Sequence, residues 1–386
     1  MSSRLEKIRY AALLSVQTLM MCLGFNFAAP YLDNFGVSDN DVGIMIAVSC
    51  ILAVLLQQIA GRMIDSGKLN SNKFLMFSGV IQILASIGLL FTDSNVLRII
   101  LFGVLACLTF VIMPVLNSFS FIYKNFGINV NYGVSRGIGS LCFALFSMVI
   151  GRLMILAGNN VIPFTYGLLG ALLFILVMCM PQMSNNNLNR AEDVKESFRL
   201  FDYPAFAVTV AGLICVMIFH NMFSTFLIRL IERAGGDDNT LGIAIGLAAL
   251  TEMPVIFLYT RIKGQRPSRF YLMLSGIFFA LKAFFMIFAD SILMIYAVQC
   301  LQSVSYGFMA ASRVYYVDEA ISKRHATTGQ AYITATDTIG MVAGSFIGGI
   351  ILNNAGINLF LQAEFIIAAV GAVLMIFSAM FMKQRN

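Results

Sequence analysis

Long apolar runs separated by short polar stretches set the pattern of this chain. A run of roughly 20 apolar residues is enough to cross the hydrocarbon core of a bilayer as one helix. Runs at about that length fall at Tyr10–Leu32, Val42–Ile64, Phe74–Phe91, Val96–Ile122, Tyr132–Leu156 and Val161–Met180. They continue at Ala205–Leu230, Leu241–Tyr259, Phe270–Ala289, Ile292–Val317, Thr328–Leu352 and Leu359–Met382. These twelve runs predict an all-α integral membrane protein of twelve transmembrane helices, with no room between them for a soluble domain. The longest hydrophilic stretch, Ser184 to Asp202, lies between the sixth and seventh runs. It predicts an N-terminal six-helix bundle over residues 1–183, a cytoplasmic linker over 184–203 and a C-terminal six-helix bundle over 204–386.

The two halves echo each other. Gly36-Val-Ser-Asp-Asn-Asp-Val-Gly43 follows the first run, and Gly235-Gly-Asp-Asp-Asn-Thr-Leu-Gly242 follows the seventh. The register holds beyond it, Gly43-Ile-Met-Ile-Ala against Gly242-Ile-Ala-Ile-Gly. Solute transporters are commonly built from such pseudo-symmetric repeats, with the substrate site near the bilayer midplane where the repeats meet.

Composition supports this reading: 59% of residues are hydrophobic and 11% charged, so the net charge of +6 is spread thinly and speaks for no nucleic acid. Lys and Arg alternate by loop. Eighteen lie on the side of the N-terminus, from Arg4, Lys7 and Arg9 to Lys383 and Arg385, and four (Arg98, Arg152, Arg229, Arg233) on the other. The positive-inside rule therefore predicts a multi-pass protein of the cell (plasma or inner) membrane with both termini cytoplasmic. The first run is too long for the apolar core of a signal peptide and is expected to stay as the first helix. The seven cysteines all fall within apolar runs and read as buried free thiols, with no metal-type spacing. Trp is absent, so Tyr10, Tyr123, Tyr166 and Tyr203 near run ends are expected to form the interfacial belt.

Polar residues inside the runs carry the candidate chemistry. A charge at the centre of a membrane helix costs about 2.5 to 3.5 kcal/mol on insertion scales, so it faces a wet cavity or a partner. In Asn131-Tyr-Gly-Val-Ser-Arg-Gly-Ile-Gly-Ser140, Arg136 stands just inside an apolar run, with Phe143 two turns along and near its face. The first half adds Asn26, and Asn117 with Ser118. The second half carries Glu252, Lys282, Arg313 and Asp337, with His220, Gln299 and Gln302. Three positive charges thus face two negative ones. Glu252 precedes Pro254 by two residues, which predicts a kink just beyond it and a polar neighbourhood for its carboxylate. A carboxylate that gains and loses a cationic neighbour as helices move is a proton carrier. Glu252 is the first candidate, Asp337 the second with His220 as partner; static pairs of Glu252 with Lys282 or Arg313, and of Asp337 with His220, are the alternative. The run Thr328–Leu352 carries Gly340, Gly344 and Gly348, spacing that favours close helix packing.

Between the second and third runs stands Gly61-Arg-Met-Ile-Asp65, followed by Lys68 and Lys73. This Gly-x-x-x-Asp with trailing basic residues resembles the signature of the major facilitator superfamily, whose members are six-plus-six bundles. The resemblance implies a cytoplasmic gating latch made of Gly61, Asp65 and Lys68. Thr260-Arg-Ile-Lys-Gly264 in the second half lacks the acid, so a weaker latch is expected there. Tyr132-Gly-Val-Ser-Arg-Gly-Ile-Gly-Ser140 is similar to the Tyr-Gly-Arg-x-Arg-x-Trp-Gly-Ser pattern of the phenylpropionate-permease-like branch, close to lactose-permease-like oligosaccharide and nucleoside proton symporters. Gln299-Cys-Leu-Gln-Ser-Val-Ser-Tyr-Gly-Phe-Met-Ala-Ala311 and Gly329-Gln-Ala-Tyr332 also resemble that branch. Its helix 10 histidines are Gln302 and Met309 here, its helix 4 acid is Asn117 or Ser118, and lactose permease's helix 5 tryptophan is Phe143.

The resemblance implies a proton-coupled symporter importing a sugar, oligosaccharide or nucleoside. Its substrate residues are expected to be Arg136, Asn117, Phe143, Asn26, Lys282 and Gln302, and its proton-coupling residues Glu252, Asp337, His220 and Arg313. Expected partners are a small-molecule substrate, the proton and the lipid bilayer, with the protein a monomer, no cofactor and no metal. An organic or aromatic anion transporter is the alternative on the same fold; a non-transporting membrane sensor is the alternative of another class. No metal cluster, activated nucleophile or phosphate-binding loop suggests an enzyme.

Overall fold

The computed structural model describes residues 3–125, 128, 130–180, 200–322 and 325–381, with the backbone alone at 3, 65, 121, 122, 124, 125, 326, 327 and 381. Most of the expected linker at 184–203 lies outside the described residues. Among the described residues there is no strand. The helices run in the order α1 (Ser3–Met21), α2 (Ala28–Asp33), α3 (Asp39–Asp65), α4 (Ser71–Phe91), α5 (Asn95–Asn125), α6 (Tyr132–Ala157) and α7 (Val161–Met178). There follow α8 (Pro204–Arg233), α9 (Asp238–Lys263), α10 (Ser268–Ile287), α11 (Ile292–Gln299), α12 (Tyr306–Ala320) and α13 (Ala326–Phe381). The chain divides into two compact units, Met1–Glu192 and Asp193–Asn386.

Among the described residues, 11 helical stretches are long and apolar enough to cross a membrane. The last, Thr328–Met380, has 53 residues, far more than the ~20 a bilayer needs. It breaks at Gly356 (φ 73°, ψ 179°), so α13 is two spans end to end. The break falls between the last two predicted runs. Two other spans change helix type along their length. The first passes from α1 through a π-turn at Cys22–Asn26 into α2. The tenth passes from α11 through a tight turn at Cys300–Ser303 into α12. By contrast α9 stays one helix from Asp238 to Lys263 with Pro254 inside it, so the proline removes a hydrogen bond without ending the helix.

The repeat seen in the sequence extends to backbone geometry. Phe27 (φ −108°, ψ 7°) interrupts the first span and Phe226 (φ −111°, ψ 17°) its counterpart α8. Gly36 and Gly235 follow in matching left-handed conformations, φ 73° and 78°. Ser38 then caps α3 by accepting from the Asp41 N–H, and Asp237 caps α9 by accepting from the Thr240 N–H. Gly158 (φ 79°) closes the α6–α7 turn as Gly356 closes the turn inside α13. A side chain at such φ would be strained, which ties both turns to glycine.

Packing within each unit corrects two expectations. Tyr10, Tyr123 and Tyr166 are 0% exposed and so are core residues, not an interfacial belt. Tyr123 donates to Glu6 at 2.9 Å, and Tyr166 donates to the Met20 carbonyl at 2.9 Å, beside the π-turn. A buried phenol needs such an acceptor, and the core supplies one. The seven thiols are free, yet only Cys22, Cys50 and Cys107 are buried, and Cys179 is exposed. The glycine stripe packs α13 tightly onto α8: a Cβ at Gly340 would meet Met217, and one at Gly344 would lie 2.6 Å from the Ile218 carbonyl oxygen.

Candidate functional site

The second unit gathers charge where its helices are most apolar. Lys282, on α10, is 1% exposed. Its Nζ donates to Gln302 Oε1 at 2.7 Å and lies 4.6 Å from the centre of the Phe223 ring. Gln302 is placed there by the tight turn between α11 and α12. A buried ammonium is expensive unless its donors are met, and here one amide oxygen and one aromatic face meet it. The carboxyls of Glu252 and Glu364 both act on Lys282 electrostatically.

Next to this stands a second pair. Arg313 of α12 donates from Nη1 to Asp337 Oδ1 of α13 at 2.6 Å, a charge-assisted bond. Asp337 therefore pairs with Arg313 and not with His220, because α12 presents a guanidinium to that stretch of α13. His220 stacks instead on Tyr306, with ring centroids 4.7 Å apart and planes 28° apart. Its Nδ1 is buried without a hydrogen-bond partner, and Lys282 and Arg313 both act on it electrostatically.

Glu364 escaped the sequence reading. It lies in the last run, 0% exposed, with neither carboxyl oxygen hydrogen-bonded. Adding it changes the balance of charges inside the runs from three against two to three against three. The available signal was an acid eight residues beyond the turn glycine of an otherwise uncharged run.

The first unit is different. Arg136 is half-buried in the second turn of α6, whose first turn is capped by Asn131 accepting from the Val134 N–H. Its guanidinium has no hydrogen-bond or ion-pair partner among the described residues. Phe143 on α6, Asn117 on α5 and Asn26 at the end of the π-turn are also half-buried. None of these four side chains hydrogen-bonds another. In the gating stretch, Gly61 has nothing within 4 Å of a would-be Cβ and Lys68 is exposed, while the Asp65 side chain lies outside the described residues. The second-half loop is not short of an acid after all. Glu319, at the end of α12, binds Lys263 Nζ at 2.7 Å and accepts from the Ser268 N–H at 2.7 Å, at the start of α10. The carboxylate missing from Thr260–Gly264 is thus supplied by another helix.

The class so defined is an all-helical multi-pass membrane protein folded as a repeat, with a charge-assisted pair within the spans of its second unit. The chain belongs to the major facilitator type, matching the MFS_1 like family over residues 24–363. None of the curated proteins matches the sequence. Among solved structures, the chain is similar to the nucleoside transporter NupG, with a TM-score of 0.81 at 14% identity, covering 99% of this chain and 100% of that one. It is similar to the peptide transporter POT (TM-score 0.74, 8% identity, 97% and 92% covered). A bacterial homologue of the human lysosomal transporter Spinster is also similar (TM-score 0.66, 12% identity, 98% and 96% covered). At such identities the likeness is one of fold. The family and these neighbours are transporters and not enzymes.

Proposed function

We propose that the protein is a proton-coupled symporter that imports a small polar solute, a sugar, short oligosaccharide or nucleoside, by alternating access. The observation that carries this reading is the buried Lys282 ammonium, held by the neutral acceptor Gln302 while Glu252 and Glu364 act on its charge. A cation with one neutral partner and two acidic neighbours can change partners when a proton arrives or leaves. Arg136, Asn117, Phe143 and Asn26 of the first unit and Lys282 and Gln302 of the second would contact the solute. Glu252, with Asp337, Arg313 and His220, would carry the proton, and Gly61, Asp65 and Lys68 would latch the cytoplasmic side. The fold shared with a nucleoside transporter supports the nucleoside arm. The protein would work as a monomer in the cell membrane with both termini cytoplasmic. One proton supplies about 2.3 kcal/mol per 100 mV of membrane potential, more than a tenfold concentration ratio.

The test is solute-induced pH change in proteoliposomes, against a panel of sugars, nucleosides and aromatic acids, with Glu252→Gln as control. Proton movement with a sugar or nucleoside, lost in the variant, is the expected result. Silence across the panel from folded protein counts against proton coupling. A second reading, transport of an organic or aromatic anion, is favoured by the Arg136 guanidinium, which has no partner among the described residues; movement with acids alone would select it.

A further inference from the structure

We propose that Glu364 is a proton-binding site, protonated while Gln302 holds Lys282 and ionised when the Lys282 ammonium turns to it. Only the use made of that proton, not its binding, rests on the symporter reading.

The argument begins with where the carboxyl is held. Within one turn on either side, Phe360 packs edge-on against Phe226 of α8 at 6.0 Å and Phe365 against Phe284 of α10 at 5.6 Å. Glu364 is fully buried on this stretch of α13, between residues that pack on the rings of α8 and α10. No donor meets either oxygen. An isolated carboxylate in such a place is among the costliest groups a protein can bury, whereas the neutral acid costs only an unmade hydrogen bond.

Among the described residues, the charged and titratable groups within the spans of the helices packed on α13 are few, and Glu252 of α9 acts on Lys282 as well. α8 brings His220, α10 brings Lys282, α12 brings Arg313 and Tyr306, and α13 itself carries Asp337. Arg313 and Asp337 neutralise each other at 2.6 Å, and His220 stacks on Tyr306. Among the described residues, Lys282 is the charge that acts on Glu364. Lys282 in turn has a choice. Its bond to Gln302 is to a neutral oxygen, which a carboxylate can displace, since hydrogen bonds between charged partners are roughly twice as strong. The two states differ by one proton, which water takes up, and the Glu252 carboxyl acts on Lys282 beside that of Glu364. With the O–H of Glu364 intact, the ammonium stays on Gln302. When that proton leaves to water, the carboxylate left behind is neutralised by Lys282, and Gln302 is released.

Infrared difference spectroscopy on the full chain reconstituted in lipid, with no solute added, tests this directly. The carbonyl band of a neutral buried carboxyl is separate from that of carboxylate. Wild type near neutral pH is expected to show such a band, Glu364→Gln to lack it, and raising the pH to remove it. In Lys282→Gln the band should persist to higher pH, because the counter-charge that favours ionisation is gone. Coincident spectra of wild type and Glu364→Gln would overturn the proposal. So would a band that never titrates, or one whose titration Lys282→Gln leaves unmoved. If Glu364→Gln does not fold, isotope-labelled glutamate in wild type assigns the band to a glutamate, and Glu6→Gln and Glu252→Gln exclude the other buried glutamate among the described residues and the half-buried one that acts on Lys282; loss of the band in either would then overturn the proposal. Because no solute enters, a silent proteoliposome panel with a titrating Glu364 would reject the symporter reading and leave this site standing.

Discussion

In the first unit, polar side chains inside the spans end mostly on backbone. Thr18 donates to the Gly139 carbonyl at 3.2 Å, Ser49 to Gly103 at 3.0 Å, Gln57 to Phe110 at 2.8 Å and Tyr166 to Met20 at 2.9 Å. Apart from Arg136, its charges keep to the helix ends and loops. Glu6 pairs with Arg9 near the start of α1, and Arg98, near the start of α5, donates to Asn95 and Thr92 and covers the Phe35 ring at 3.6 Å. In the second unit, built on the same turns and caps, side chains within the spans meet side chains: Lys282 with Gln302 and Arg313 with Asp337. A bond to the backbone fixes a helix pair in register, since a carbonyl cannot be protonated or exchanged. A bond between ionisable groups can be remade. The repeat thus holds its skeleton constant while the spans of one copy bond mainly to backbone and those of the other bring side chains together.

The sharpest way to break that contrast is to truncate one cation from each unit. Lys282→Ala is expected to abolish solute-driven proton movement, because it removes the charge whose partners change. Arg136→Ala should leave proton movement intact at saturating solute but raise the half-saturation concentration about tenfold or more, the worth of a hydrogen bond to a charged group. Concentration series in proteoliposomes separate the two, and equal effects would dissolve the division of labour. A smaller effect comes from the helix seam. Gly344→Val forces a side chain against the Ile218 carbonyl and the Met222 N–H and should cost about 1–3 kcal/mol in thermal unfolding, as overpacking does. Unchanged melting would mean the α8–α13 seam is loose.

The smallest effect sets the paired caps against each other. Ser38→Ala and Asp237→Ala should each cost about 1 kcal/mol at neutral pH. The Thr240 backbone N–H holds the Asp237 carboxyl below its usual value of 3.8. A depressed carboxylate stabilises the fold above its unfolded pKa, and that contribution disappears as the pH falls through the folded value. The cost of Asp237→Ala should therefore fade in acid, whereas the Ser38 hydroxyl has no proton to gain there. Unfolding at neutral and acid pH checks the difference.

The fold was legible because apolar run length is a property of the chain read locally. The glycine-rich match between residues 36–43 and 235–242, read only as a repeat, falls on a turn and a cap in each unit. Partnerships were not legible. That Asp337 meets Arg313, that Gln302 receives Lys282, and that Glu319 completes a loop more than fifty residues away depend on which helices pack together. Periodicity is silent on that. The tyrosines misled for a related reason: position near a run end does not say which way a ring faces. Glu364 was overlooked because one acid near the start of a run looks like a loop residue until burial is known.

The turns at Gly158 and Gly356 have a practical side. Only three residues separate α6 from α7, and the break in α13 is confined to a single glycine. Neither connection offers a protease an extended stretch to grip or an epitope tag a place to be inserted. Each pair of spans is in effect a hairpin spring clip, and whatever tilts one arm must carry the other with it.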